Sequence, residues 1–154
     1  MTRRQTRSFA AGCGLWILTG LIQMAGHFRG LPDPASEEEA TLLALFQGYE
    51  MEMGGTTRTL YNAFDGLGLS LALLAILVGF LGLLWLRVPA APAGILRRVA
   101  GMNAVAAAAL LLLGLPRLPV ASLVCFGAVG AAFLSAAAGR VVAATSGAAG
   151  PGPA

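Results

Sequence analysis

Four apolar runs, at about 9–28, 66–86, 99–115 and 120–138, leave this chain few ways to fold. The first has the ~20 residues that a helix rising about 1.5 Å per residue needs to cross a ~30 Å hydrocarbon core. In such a core the backbone must satisfy its own hydrogen bonds, which a helix does and an open strand does not. The expected fold is therefore all-α, a four-transmembrane-helix bundle with a lipid-facing exterior, forming one membrane domain over 1–138. Composition agrees: 57% of residues are hydrophobic and 11% charged, where a soluble domain carries about 25% charge.

The charges that remain indicate topology. The formal charge of +3 could suggest a nucleic-acid partner, but all ten basic residues are Arg and most flank apolar runs. No nucleic acid is expected. Arg3, Arg4, Arg7, Arg87, Arg97, Arg98 and Arg140 fall on one side of a four-span layout, and only Arg29, Arg58 and Arg117 on the other. The positive-inside rule then places both termini in the cytoplasm and the protein in the cell (inner) membrane. All seven acids, Asp33, Glu37, Glu38, Glu39, Glu50, Glu52 and Asp65, lie in the segment between the first two spans, which this layout puts outside.

That outer segment is punctuated. Pro32 and Pro34 stop the first helix from continuing. Ser36 and Glu39 form a capping box, and Glu37 and Glu38 suit a helix N-terminus. Leu42, Leu45, Phe46, Tyr49 and Met53 mark an apolar face, predicting a helix over 37–53 ended by Gly54-Gly55. Its polar face carries Glu where membrane-surface helices carry Lys and Arg, so it is expected to cap the bundle or meet a partner. The basic start followed by a long apolar run also suits a signal peptide, but the run is too long and lacks an A-x-A-like site. Pro89, Pro92 and Gly94 mark an inner loop, Leu115–Pro119 a tight hairpin, and the Gly-, Ala- and Pro-rich stretch 139–154 a disordered tail.

Small residues predict which faces pack. Asp65, Gly68, Ala72, Ala75, Gly79 and Gly82 follow at helical spacing, as do Gly12, Trp16, Thr19, Gly20, Gln23 and His27. Small faces allow close helix approach within a membrane, so these two are expected to meet. Ala104 with Ala108, and Ala128, Ala132 and Ala136, suggest the same for the third and fourth spans.

His27 ends the first span and Asp65 precedes the second, so antiparallel packing puts them at one depth, with Gln23 a turn deeper and Arg58, Tyr61 and Asn62 above. These six residues are the candidate polar site. One reading is structural, with Asp65 and His27 satisfying helix ends and each other. The other is a site for a headgroup, quinone or proton, since intramembrane ionisable groups mark such sites and histidine titrates near neutral pH. A single His supplies no H-E-x-x-H motif, and haem would need His27 with an unusual second ligand such as Met24. Cys13 and Cys125 sit inside different runs at depths on the order of 15 Å apart, too far for a disulfide. Neither catalytic residues, metal ligands nor a cofactor are expected. Asn103 is read as a helix–helix hydrogen bond.

At Ala25-Gly26-His27-Phe28 and Phe64-Asp65-Gly66-Leu67-Gly68-Leu69-Ser70 the chain resembles small uncharacterised bacterial four-helix integral membrane proteins, which have Gly-His near the end of the first span and a Gly-aromatic-Ser-Leu-like opening of the second. Here Leu67-Gly68-Leu69-Ser70 replaces that compact opening, and the resemblance implies fold and location but no activity. The expected function is a non-enzymatic interaction or accessory subunit working in the lipid bilayer with a membrane-protein partner or as a homo-oligomer. The alternative is a small membrane enzyme or carrier that binds a lipid or quinone at an outer-leaflet polar site, with Arg58 as an anion contact. An oligomeric channel or transporter is a third possibility.

Overall fold

Helix α1 (Arg3–Arg29) starts earlier than the first apolar run because Thr2 and Gln5 cap it reciprocally. The Gln5 amide donates to Thr2 Oγ1 at 3.3 Å and the Thr2 amide to Gln5 Oε1 at 2.8 Å. This cap offsets the unfavourable placement of Arg3 and Arg4 at the positive end of the helix dipole. The chain is seen here as a computed structural model describing residues 2–88, 93–116, 118 and 120–138. The expected tail at 139–154 and the prolines at 89, 92 and 119 lie outside the described residues.

Among the described residues there are five helices and one hairpin: α1, α2 (Glu37–Gly48), β1 (Glu50–Met53), β2 (Thr56–Thr59), α3 (Leu60–Arg87), α4 (Ala93–Gly114) and α5 (Val120–Ala137). Four of them, α1, α3, α4 and α5, are long and apolar enough to cross a membrane.

The segment between α1 and α3 corrects the sequence reading. Ser36 caps α2 as expected, its Oγ accepting from the Glu39 amide while Glu39 Oε2 accepts from the Ala35 amide at 2.7 Å. The helix nevertheless ends at Gly48 instead of continuing to Met53. Glu50-Met51-Glu52-Met53 pairs antiparallel with Thr56–Thr59, placing Glu52 opposite Thr57 and Met51 opposite Arg58. Gly54 and Gly55 have φ of 58° and 80°, the two left-handed positions that a tight two-residue hairpin turn demands. They turn a hairpin and do not cap a helix, so the expected helix over 37–53 is a shorter helix followed by a hairpin, in a fold that is mostly helical.

Thr59 closes the hairpin and opens α3. Its Oγ1 accepts from the Asn62 amide at 3.2 Å, an N-cap bond that starts the helix at Leu60, ahead of the apolar run beginning near Gly66.

Chain contacts group into two units, Leu18–Leu77 and Met1–Ile17 with Val78–Ala154. Within the first, the ends of α1 and α3 lie close, with Gly20 against Ala72 and Ile76. Phe46 of α2 packs edge-on against Tyr61 and tilted against Phe64, with ring centroids 6.0 and 5.9 Å apart.

In the second unit, Phe9, Cys13, Trp16, Phe126, Val129 and Phe133 form the core, with Phe9 meeting Phe133 edge-on at 5.5 Å. Gly79 sets how closely α3 approaches α1 here: a Cβ built on it would fall 2.6 Å from both the Cys13 carbonyl oxygen and Ile17 Cγ1. Between α4 and α5 the buried stripes are Ala100, Ala104 and Ala107 against Val129, Gly130, Phe133 and Ala136. Ala108 and Ala128 are exposed. A strict step of four turns about 40° off the face at each repeat, whereas alternating steps of three and four keep to it. Trp16 Nε1 donates to Asn103 Oδ1 at 3.1 Å, and Asn103 Nδ2 donates to the Val99 carbonyl within α4. The Asn103 amide therefore does join two helices. Both cysteines are free thiols.

Candidate functional site

The unit Leu18–Leu77 holds the sequence's ionisable pair. His27 lies in the last turn of α1, where the helix dipole favours a cation. Asp65 lies on α3 beyond its first turn. His27 Nδ1 approaches Asp65 Oδ1 to 2.6 Å, with side chains 23% and 28% exposed. The approach is ion-pair proximity without an aligned hydrogen bond, since Nδ1 is shielded from solvent and has no properly oriented acceptor. The Phe28 ring stands edge-on to the imidazole at 5.3 Å.

Beside the pair is a hollow of about 290 Å³ lined by Gln23, His27, Phe64, Asp65, Gly68 and Leu69. It is at the lower limit of ligand-sized pockets, room for a headgroup or one ring. Open space surrounds Gly66 and Gly68, while Ser70 Oγ donates to the Gly66 carbonyl at 2.8 Å. Chemically, the site offers one acid, one imidazole and one amide against apolar walls, enough to pass a proton or hold a polar group.

The other three expected site residues lie apart from the hollow. Arg58 cannot project from α3, because the helix has not begun at that position; it is an exposed β2 residue opposite Met51. Tyr61 faces Phe46, and Asn62 is exposed, its amide engaged by Thr59. Arg58, expected as an anion contact, is thus on the hairpin and does not line the hollow. Phe64 and Leu69 were not among the expected site residues; Leu69 follows Asp65 by one helical turn, the signal that could have found it, whereas Phe64 is the immediate neighbour of Asp65 in sequence. Among the described residues no group of three or more His, Cys, Asp or Glu side chains could hold a metal ion.

No protein-family model matches the chain, and no curated protein or solved structure matches it either.

Proposed function

We propose that the chain is a multi-pass membrane protein of the cell membrane, with both termini cytoplasmic, that acts as an interaction or accessory subunit through the acidic segment between α1 and α3. The observation carrying this reading is that α2 has no buried residue. Phe46 rests on Tyr61 and Phe64, yet Leu42, Leu45 and Tyr49 stay 67%, 61% and 59% exposed beside Glu37, Glu38 and Glu39. An apolar strip with an acidic border suits a protein partner better than an anionic membrane surface. Membrane insertion is supported by the exposed Leu71, Leu73, Leu74, Leu77, Phe80, Leu81 and Leu84 on α3. Removing these half-exposed side chains from water contributes on the order of 1 kcal/mol each.

The test is cross-linking mass spectrometry on full-length protein extracted in mild detergent, compared with Leu42→Glu and Leu45→Glu. We expect cross-links from α2 to a second membrane polypeptide, either another copy or a different chain, and at least a tenfold loss of them in the variants. A monomer without α2 cross-links, or cross-links indifferent to both changes, would refute the reading.

The hollow beside His27 and Asp65 favours a second reading, a carrier or enzyme for a lipid or quinone. It predicts a co-purifying lipid or quinone that Asp65→Asn releases while the protein stays folded.

A further inference from the structure

We propose that the hollow where α1 begins and α5 ends binds a phosphate-class oxyanion, supplied by an anionic phospholipid headgroup or by free phosphate. It measures about 380 Å³ and is lined by Thr2, Arg4, Gln5, Ser135 and Ala138. Gln5 is the decisive side chain. It is only 6% exposed, and its Nε2 is a buried donor with no partner. The amide orientation is forced: Oε1 must face the Thr2 amide, which donates to it at 2.8 Å, so the NH₂ group projects the other way. A buried donor left unmade costs about 1–3 kcal/mol, which an acceptor entering the hollow would recover.

Charge decides what kind of acceptor fits. Arg4 lines the same hollow, and the N-terminus of α1 adds its positive dipole end. Ser135 contributes a hydroxyl that now donates within its own helix, to the Ala132 carbonyl at 2.8 Å, leaving its oxygen as an acceptor for a protonated phosphate. The unit that forms this hollow contributes no Asp or Glu of its own, since every acid of the chain lies between Asp33 and Asp65. The last turn of α5 also borders a second basic hollow, with Gly94, Arg97, Arg98 and Ala137, where Arg97 Nε donates to the Ala137 carbonyl at 3.3 Å. Two arginine-bearing hollows thus flank one helix end. In a bilayer that end would lie at the headgroup level, since Thr2 and Ala138 directly flank α1 and α5 and Arg3, Arg4 and Arg7 precede the apolar run of α1, and anionic headgroups favour such arginines. The inference stands independently of the α2 reading.

The test uses the full chain in detergent, titrated with inorganic phosphate, and in nanodiscs of phosphatidylcholine with or without phosphatidylglycerol, reading thermal stability and native mass spectra. Gln5→Glu preserves the bond to Thr2 but puts a negative oxygen where the free donor was. We expect it to weaken anion binding at least tenfold. Arg4→Gln, at an exposed position, is expected to weaken binding several-fold without disturbing the fold, and carries the test if Gln5→Glu does not fold. Stabilisation by phosphate identifies a free-ion source, stabilisation by phosphatidylglycerol alone a headgroup, and either must be lost in the variants. Absence of binding to both probes, or binding equal in wild type and Arg4→Gln, would overturn the proposal and leave Gln5 to a water molecule.

Discussion

His27 and Asp65 are the residues on which local chemistry depends. Their 2.6 Å approach in a partly shielded setting makes each the polar group that the other faces. Removing one strands its partner, so His27→Ala and Asp65→Ala should each lower stability in detergent by about 1 kcal/mol, with the double change costing clearly less than their sum. Thermal unfolding of the four proteins measures this, and strict additivity would show that the pair is not coupled. The meeting of these residues was legible from their positions at facing ends of two apolar runs. The company they keep was less so. Arg58, Tyr61 and Asn62 were assigned by extending the second span backwards at helical spacing; the helix does reach Tyr61 and Asn62, but the extrapolation fails for Arg58, where hairpin geometry takes over.

At the scale of the element, the hairpin shows why part of the fold was missed. Met51 and Met53 alternate with Glu50 and Glu52, and Gly54-Gly55 follows at once, a strand-and-turn pattern visible in the letters. Read from the capping box forward, Tyr49 and Met53 also fit a helical face, and the helix period was carried five residues too far. Where backbone spacing is the limiting quantity, the sequence reading fares better. Gly79 was expected on a packed face, and it does abut Cys13 and Ile17. Gly68 of the same stripe is exposed, because the close approach does not extend that far along α3. A side chain at Gly79 must push against a backbone carbonyl, which cannot rotate away. Gly79→Leu should therefore destabilise by roughly 1–3 kcal/mol or more, whereas Leu77→Ala, at a position 54% exposed, should cost under about 1 kcal/mol in detergent. Equal losses in thermal unfolding would contradict the assigned close contact.

For the whole molecule, hydropathy carries most of the reading, because four segments of spanning length need only the right length and few charges to be recognised. Helices α1 and α3 exceed their apolar runs at the start, since capping by Thr2 and Thr59 acts outside the hydrophobic pattern. The orientation we propose for these helices in a bilayer rests on the distribution of arginine and acid. The central claim is four crossings with the acidic segment outside. Paired alkaline phosphatase and fluorescent-protein fusions within 37–48, after Arg98 and after Arg140 test it most directly. The account predicts an external signal at the first junction and cytoplasmic signals at the other two. An external signal after Arg98 would contradict it.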